Sequence, residues 1–426
     1  MVRTKIFSVA ILLLAAGALA VVIPAVDLSM GGGMPAALAQ DGLEPAGVVK
    51  SRTGVAPNRL RYYPGTEPLG ADEIRLVALG TGMPLARRSQ AATCWLIELG
   101  NGDKFLFDIG TGAMANFTAQ MIPFDFVTKI FLTHLHTDHW GDLASLWAGG
   151  WTAGRTVPLE IWGPSGARED MGTKYAVEHF LKAYNWDLQT RLANLNSKPG
   201  KIIVHEFDYK AENKIVYQEN GVTIRSWPAI HAGDGSVSFA LYWKGMKIVI
   251  GGDTMPNTWY IKYAMDADIA IHEAFMTPEL LVKLYNQAPE TAIGVGTYVH
   301  TSPQAFGKVM STIKPRHAIA YHFFNEADTL PTMTAAIRET YDGPLTMAED
   351  NLVWNITKDD IRVRTSVPDD EAWSVQGPRK PPKPDRTVPD QLTKWSLEHR
   401  WNDIDAVQGD MIKAFKKKYN LKDSKK

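Results

Sequence analysis

The sequence predicts an α/β protein of two mixed β-sheets flanked by helices, and three observations predict it. Short aliphatic and aromatic runs with period-2 alternation recur between Gly- and Asn-containing turns, the pattern of paired strands. Helical periodicity enters between the later strands, so the sheets have helices to cover their outer faces. The chain has 426 residues, 45% hydrophobic and 21% charged, enough apolar material for an extended core. Disordered, collagen-like and multi-span membrane classes are excluded by the same composition.

The elements follow in order. Residues 40–71 are rich in Gly, Pro and Ala without a sustained period and read as a surface-hugging leader. Strands are predicted at 73–79 and 93–99, then at 104–108 after the turn Gly100-Asn101-Gly102-Asp103, and at 127–132. Residues 151–219 read as an insertion holding a strand at 159–162, a helix at 167–184 and a strand at 201–207. Strands return at 222–227, 236–243, 246–250, 269–271 and 318–320, with a helix at 302–313. The main domain is therefore expected over 72–365. Residues 366–426 change character to a Pro-rich linker, Gly377-Pro378-Arg379-Lys380-Pro381-Pro382-Lys383-Pro384, and a helical tail. Trp395, Trp401, Ile412 and Phe415 of that tail can dock on the main domain or on a partner.

Arg3 and Lys5 precede an apolar stretch over 6–23, and Ala37-Leu38-Ala39 stands before Gln40, the three-part pattern of a secretory signal over 1–39. The expected location is periplasmic or secreted. The apolar stretch is also just long enough to stay as an outward-facing membrane anchor, and only then would a membrane be a partner. Net charge is −1, so no bulk basic field gathers nucleic acid. The lone Cys94, in an apolar run, excludes an internal disulfide and a Cys-based zinc cage and reads as a buried small hydrophobe. Oligomeric state, including a homo-oligomer, is left open.

The sharpest signal is Thr133-His134-Leu135-His136-Thr137-Asp138-His139-Trp140-Gly141-Asp142, directly after a predicted strand. On an extended strand end His134 and His136 point the same way, and the following turn swings Asp138 and His139 to an adjacent position. One loop can thus serve two metals. Imidazole and carboxylate ligands without thiolate suit Zn²⁺ first, with Fe or Mn as alternatives. His231, Asp253 and His322 each follow a predicted strand and are further candidates. His179, His205 and His399 have no motif around them, and His272 and His317 suit structural roles. Trp140, Trp147, Trp151 and Trp162 read as core before pocket wall.

These residues carry a resemblance to the metallo-β-lactamase superfamily over most of 72–360. Leu79-Gly80-Thr81-Gly82-Met83-Pro84 resembles the opening motif of its tRNase Z and arylsulfatase branch, and Phe107-Asp108-Ile109-Gly110 its second-strand motif. Ile271-His272-Glu273-Ala274 and His300-Thr301-Ser302 resemble two tRNase Z segments, with Gly252-Asp253-Thr254-Met255-Pro256 between the strands. The resemblance implies a four-layer αββα sandwich. It implies one metal on His134, His136 and His231, a second on Asp138, His139 and His322, and Asp253 shared by both. Catalytic candidates are Asp138 and the pair His300 and Glu273, His300 acting as general acid. Asp108 is expected to buttress the histidine loop.

Two metals favour ester bonds with two oxygens to clamp, phosphodiesters above all. The flexible Gly- and Lys-rich arm by which tRNase Z grips tRNA is not apparent between His139 and Asp253. The expectation is an exported dinuclear hydrolase of a small phosphodiester or sulfate ester, nucleic acid being disfavoured. A lactone or β-lactam hydrolase is the alternative within enzymes, and a non-catalytic metal-binding scaffold the alternative of another class.

Overall fold

The computed structural model describes residues 48–50, 55–57, 60–85, 87–401 and 403–421. The expected export segment at 1–39 lies outside the described residues. In chain order the strands are β1 (Val48–Lys50), β2 (Val55–Pro57), β3 (Arg61–Tyr62), β4 (Ile74–Gly80), β5 (Cys94–Leu99) and β6 (Lys104–Phe107). Then come β7 (Lys129–Phe131), β8 (Leu159–Pro164), β9 (Ile202–Phe207), β10 (Lys214–Glu219), β11 (Val222–Pro228) and β12 (Val237–Trp243). The last are β13 (Met246–Ile250), β14 (Ile269–Glu273), β15 (His317–Tyr321), β16 (Leu345–Met347), β17 (Leu352–Ile356) and β18 (Ile361–Ser366).

Beyond the β1–β2 hairpin they form two mixed sheets, one ordered β3-β18-β17-β4-β5-β6-β7-β8-β9 and the other β10-β11-β12-β13-β14-β15-β16. Period-2 alternation on strands apolar on both faces explains the layering. Ile74, Leu76, Trp95, Ile97, Phe105 and Phe107 meet Ile248, Ile250, Ile269, Ile271 and Ile319 between the sheets. Their sequence neighbours Val77, Leu96 and Leu106 turn outward, under a helical layer that includes Ala113–Ala119 and Thr173–Ala183. On the other side Val249, Ala270, Ala318 and Ala320 face the helices Thr258–Ala264, Pro303–Ile313 and Leu330–Arg338. This is the αββα sandwich.

Three local differences have physical reasons. The expected insertion at 151–219 is woven into the sheets: β8 and β9 extend the first, and β10 edges the second. The helix expected over 167–184 begins only at Thr173, after the extended Gly172, and a second helix, Asn185–Asn194, follows. Leu188 and Leu192 pack it against the outer core at helical spacing, and Leu195 joins them just past its end. The leader joins the fold too, because Tyr62 is buried and Glu67 receives Arg364 at 2.8 and 3.1 Å. In the tail, the linker is tied down by Ser197 Oγ donating to Asp385 at 2.7 Å and by Arg379 pairing with Asp125 at 3.3 Å. Trp395, Trp401 and Phe415 beyond it are exposed. No described helix is long and apolar enough to cross a membrane.

Candidate metal centre

Strands β6, β7 and β8 are parallel, as are β13, β14 and β15, and β11 runs with β13 because each is antiparallel to β12. Their carboxyl ends therefore lie along one rim of the sandwich, where chain leaving a strand is free to place side chains. His134, His136, Asp138 and His139 leave β7, His231 follows β11, Asp253 follows β13, Glu273 ends β14 and His322 follows β15. Ligand atoms of His134, His136, His231 and Asp253 lie within 4.8 Å of one another, and so do those of Asp138, His139, Asp253 and His322. Asp253 belongs to both groups.

His231 Nε2 stands 3.1 Å from His136 Nδ1 and 3.7 Å from Asp253 Oδ2. His134 Nε2 lies 4.0 Å from that same oxygen. On the other side His322 Nε2 is 3.2 Å from both Asp138 Oδ2 and Asp253 Oδ2, and His139 Nε2 is 3.2 Å from Asp253 Oδ1. Buried polar atoms normally find partners. His134 Nε2, His139 Nε2, Asp138 Oδ1 and Asp253 Oδ1 are buried without a well-formed hydrogen bond, on residues whose ligand atoms converge. Convergent imidazole nitrogens and carboxylate oxygens of this kind fit divalent cations.

The electrostatics agree. Burial pulls His134 well below the ordinary imidazole pKa, leaving its lone pair free to ligate. Burial would raise Asp253, but His322 and His139 hold it well below the usual carboxylate range. Against burial, Asp253 and Asp108 push His139 well above its ordinary value. The charge that would attract a cation thus also attracts a proton, so the two compete.

The support behind these atoms is equally specific. Asp108, in the left-handed region at φ 57°, accepts Thr133 N–H and Oγ1–H at 2.8 Å each and sits 2.7 Å from His139 Nδ1. The imidazole then donates from Nδ1 and presents Nε2 inward, the buttress expected of Asp108. Gly252, at φ 66°, passes so close to Thr133 that a Cβ would come within 2.7 Å of its Cβ. His322, at φ 68°, donates its backbone N–H to Thr81 O at 3.0 Å, and Thr81 is itself fastened to Asp350 at 2.8 and 3.0 Å. The Gly80-Thr81-Gly82 turn is thus a strut under a ligand candidate.

Glu273 accepts Thr254 N–H at 2.6 Å with Oε1 and meets His300 Nδ1 at 2.7 Å with Oε2. Burial, reinforced by Asp253, pushes the Glu273 carboxyl well up, while burial pulls His300 down. His300 stacks on Phe275, ring centroids 4.2 Å apart and planes 8° from parallel. Every candidate is thus brought to one place. His272 is not: it packs edge-on to Tyr260 at 4.5 Å, and burial holds it neutral with a pKa of about 4. His317 bonds Thr346 and His205 bonds Glu160, away from the rim. Trp147 and Trp151 fill the outer core, and Trp162 stacks on Phe131 at 4.9 Å.

The sequence reading missed the pocket wall. A cavity of about 590 Å³ opens beside His300, lined by Leu85, Phe275, Met276, Leu281, Tyr285 and Phe324 as well as by the rim residues. Phe275 and Phe324 each stand two residues after a site residue, which was the only local signal.

Comparison with known proteins decides the lineage. Residues 74–281 match the family model described as Anti-Pycsar protein Apyc1. Ribonuclease Z of Mycobacterium marinum (strain ATCC BAA-535 / M) is 31% identical over 206 residues, 47% of this chain and 70% of that protein. Ribonuclease Z of Mycolicibacterium gilvum (strain PYR-GCK) is 30% identical over 205 residues, 47% and 68% of the two chains. The chain belongs to the tRNase Z-like branch of the metallo-β-lactamase superfamily. This tRNase Z-like protein is accordingly a metal-dependent hydrolase of that fold. Among solved structures, the metallo-β-lactamase fold protein YhfI from Bacillus subtilis superposes with a TM-score of 0.50 at 17% identity, covering 67% of this chain and 100% of that one. A long-form RNase Z from yeast gives 0.50 at 17%, covering 68% of this tRNase Z-like chain and 42% of its own. At those identities the likeness concerns the fold.

Proposed function

We propose that the chain is an exported dinuclear hydrolase of a small phosphodiester or sulfate ester, with zinc as its metal. The observation that carries this is Asp253, reaching both ligand groups while Glu273 holds His300 beside them. One ion is assigned to His134, His136 and His231, the other to Asp138, His139 and His322, with Asp253 shared. Bound there, the ions supply Lewis acidity, which brings ionisation of water near neutral pH and neutralises charge on the ester. Asp138 Oδ1, buried and without a partner, accepts a hydrogen bond from the attacking water and orients it. As water adds to phosphorus or sulfur, the bond to the leaving oxygen breaks and His300 passes it a proton. Glu273 accepts the Nδ1 hydrogen bond and keeps the ring turned for that transfer. A purely structural metal site has no use for this pair.

The relatives named above are ribonucleases, but a small ester suits this rim better, since phosphate tracking needs a basic face and the cavity lining holds no Lys or Arg among the described residues. Export rests on the pattern at 1–39. Elemental analysis of the purified protein, with a chromogenic panel of phosphodiester, phosphomonoester, sulfate, lactone and β-lactam substrates, tests the assignment. His300→Ala is expected to keep its metal and lose about 10² or more in turnover. Unchanged turnover removes the role given to His300, and turnover of lactones alone removes the ester assignment.

A further inference from the structure

Two cavities flank the metal centre, and their walls differ. The larger one takes in His300 and the site residues His136, Asp138, His231, Asp253 and His322, with Thr137 and Gln287. The wall beyond them is apolar: Leu85, Phe275, Met276, Leu281, Tyr285 and Phe324 form it. The smaller, about 290 Å³, lies across His134, His136 and His231 and carries Asp170 and Asp234. Among the described residues, neither lining includes a Lys or Arg. Arg87, a cation beside the apolar wall, lies over the Phe324 ring at 4.8 Å and is already paired with Glu326. Asp170 is paired with Arg168 at 2.9 Å, and Asp234 receives the Tyr209 hydroxyl at 3.3 Å.

A substrate with several phosphates would meet no unpaired cation in either lining, among the described residues, and would face two carboxylates on one side. Charge on the substrate is therefore confined to the ester group itself. The proton donor fixes which half of the ester enters which cavity. His300 stacks on Phe275, so the oxygen it protonates lies at the floor of the apolar cavity, and the group attached to that oxygen extends into it.

We propose that the cavity of Phe275, Tyr285 and Phe324 binds the leaving group, and that this group is an uncharged aryl or branched alkyl alcohol. The inference rests on the ester-hydrolase assignment and sharpens it. In the step, water adds to phosphorus or sulfur and gives one proton to Asp138, the bond to the aryl or alkyl oxygen breaks with its electron pair on that oxygen, and His300 supplies the proton that makes the neutral alcohol. Burial of an aryl ring against these side chains raises kcat/KM over a small or charged leaving group. One methylene in an apolar pocket is worth about 10-fold or more.

The test uses the full chain with its metal content measured, and methyl phosphodiesters whose phenol leaving groups have matched acidity. One set grows in apolar bulk, and one phenol carries a carboxylate. Expected is a kcat/KM at least tenfold higher for the bulkier apolar phenols than for the carboxylated one. Leu85 is 66% exposed at the cavity rim, so Leu85→Lys keeps the core intact; it should lower the apolar preference and raise turnover of the carboxylated ester. Tyr285→Ala should lower the apolar preference alone. Turnover without apolar preference, or preference for the carboxylated phenol in the unaltered protein, overturns the inference while leaving the hydrolase assignment standing. Absence of turnover on every ester with metal bound overturns the assignment instead.

Discussion

Asp108 shows how much of the site depends on a side chain that touches no metal. Its two oxygens take three hydrogen-bonded contacts, two from Thr133 and one with His139, and it adopts a left-handed backbone to do so. Removing it frees the His139 ring to rotate and leaves Thr133 without its acceptor. Asp108→Ala is expected to weaken metal binding about 10- to 100-fold, the usual cost of losing such a partner. Titration of the apoprotein with zinc against a competing chelator measures it, and an affinity equal to that of the parent would refute the buttress. At this scale the sequence was informative, because His-x-His-x-Asp-His, Gly-Asp-Thr and His300-Thr301-Ser302 are local patterns. Beyond the pair His300 and Glu273 and the buttress Asp108, what it hid is the atom-level partners. Thr133 bonding Asp108, Thr81 holding the His322 backbone and Phe275 under His300 arise from chain segments that meet only in the folded molecule.

Elements were legible where their signal is local and lost where it is not. The hairpin β5–β6 and the cap Ser302, which accepts from Ala305 N at 3.3 Å, follow from turn and capping residues a few positions apart. Strand β17 has no such sign: it completes the first sheet by pairing Val353 with Val77, across most of the chain. The edge pair β15–β16 offers a test of a different kind. His317 opens β15 and its Nε2 lies 2.7 Å from Thr346 Oγ1, and burial lowers its pKa to about 4 from 6.5. A base depressed in the folded state adds stability that is fully present above its unfolded pKa and is lost as pH falls through the folded one. Between pH 7 and 4 this residue should therefore cost about 1–2 kcal/mol, discounted for its partial exposure. His317→Gln keeps a hydrogen bond to Thr346 and removes the titration. Urea midpoints of the parent should fall further than those of the variant over that range; parallel curves would assign the acid sensitivity elsewhere.

Across the whole molecule the rim is a seam. His134, His136, Asp138 and His139 leave the first sheet, whereas His231, Asp253 and His322 leave the second. Apart from the apolar core, few main-chain bonds cross between the sheets there, one being Val237 N–H to Thr133 O at 3.0 Å. Ions bound in this seam would fasten sheet to sheet, and they would also neutralise Asp138 and Asp253, whose side chains are only 2% and 1% exposed. Without them those carboxylates repel one another in a medium of low polarity. Anything that binds the folded chain and not the unfolded one stabilises it by mass action, about 4 kcal/mol for each ion at free metal a thousand times its Kd. If two ions occupy the seam as proposed, stripping them should lower Tm on the order of 10 °C, allowing for the shallow dependence of Tm on free energy in a chain this long. Scanning calorimetry of the protein as purified, after chelation and after zinc is restored, gives the comparison. A fall reversed by zinc, in the parent but not in Asp253→Asn, places the effect at the shared carboxylate. An unchanged Tm after complete removal would mean that the core alone holds the sheets in register, and that the seam is a site for chemistry only.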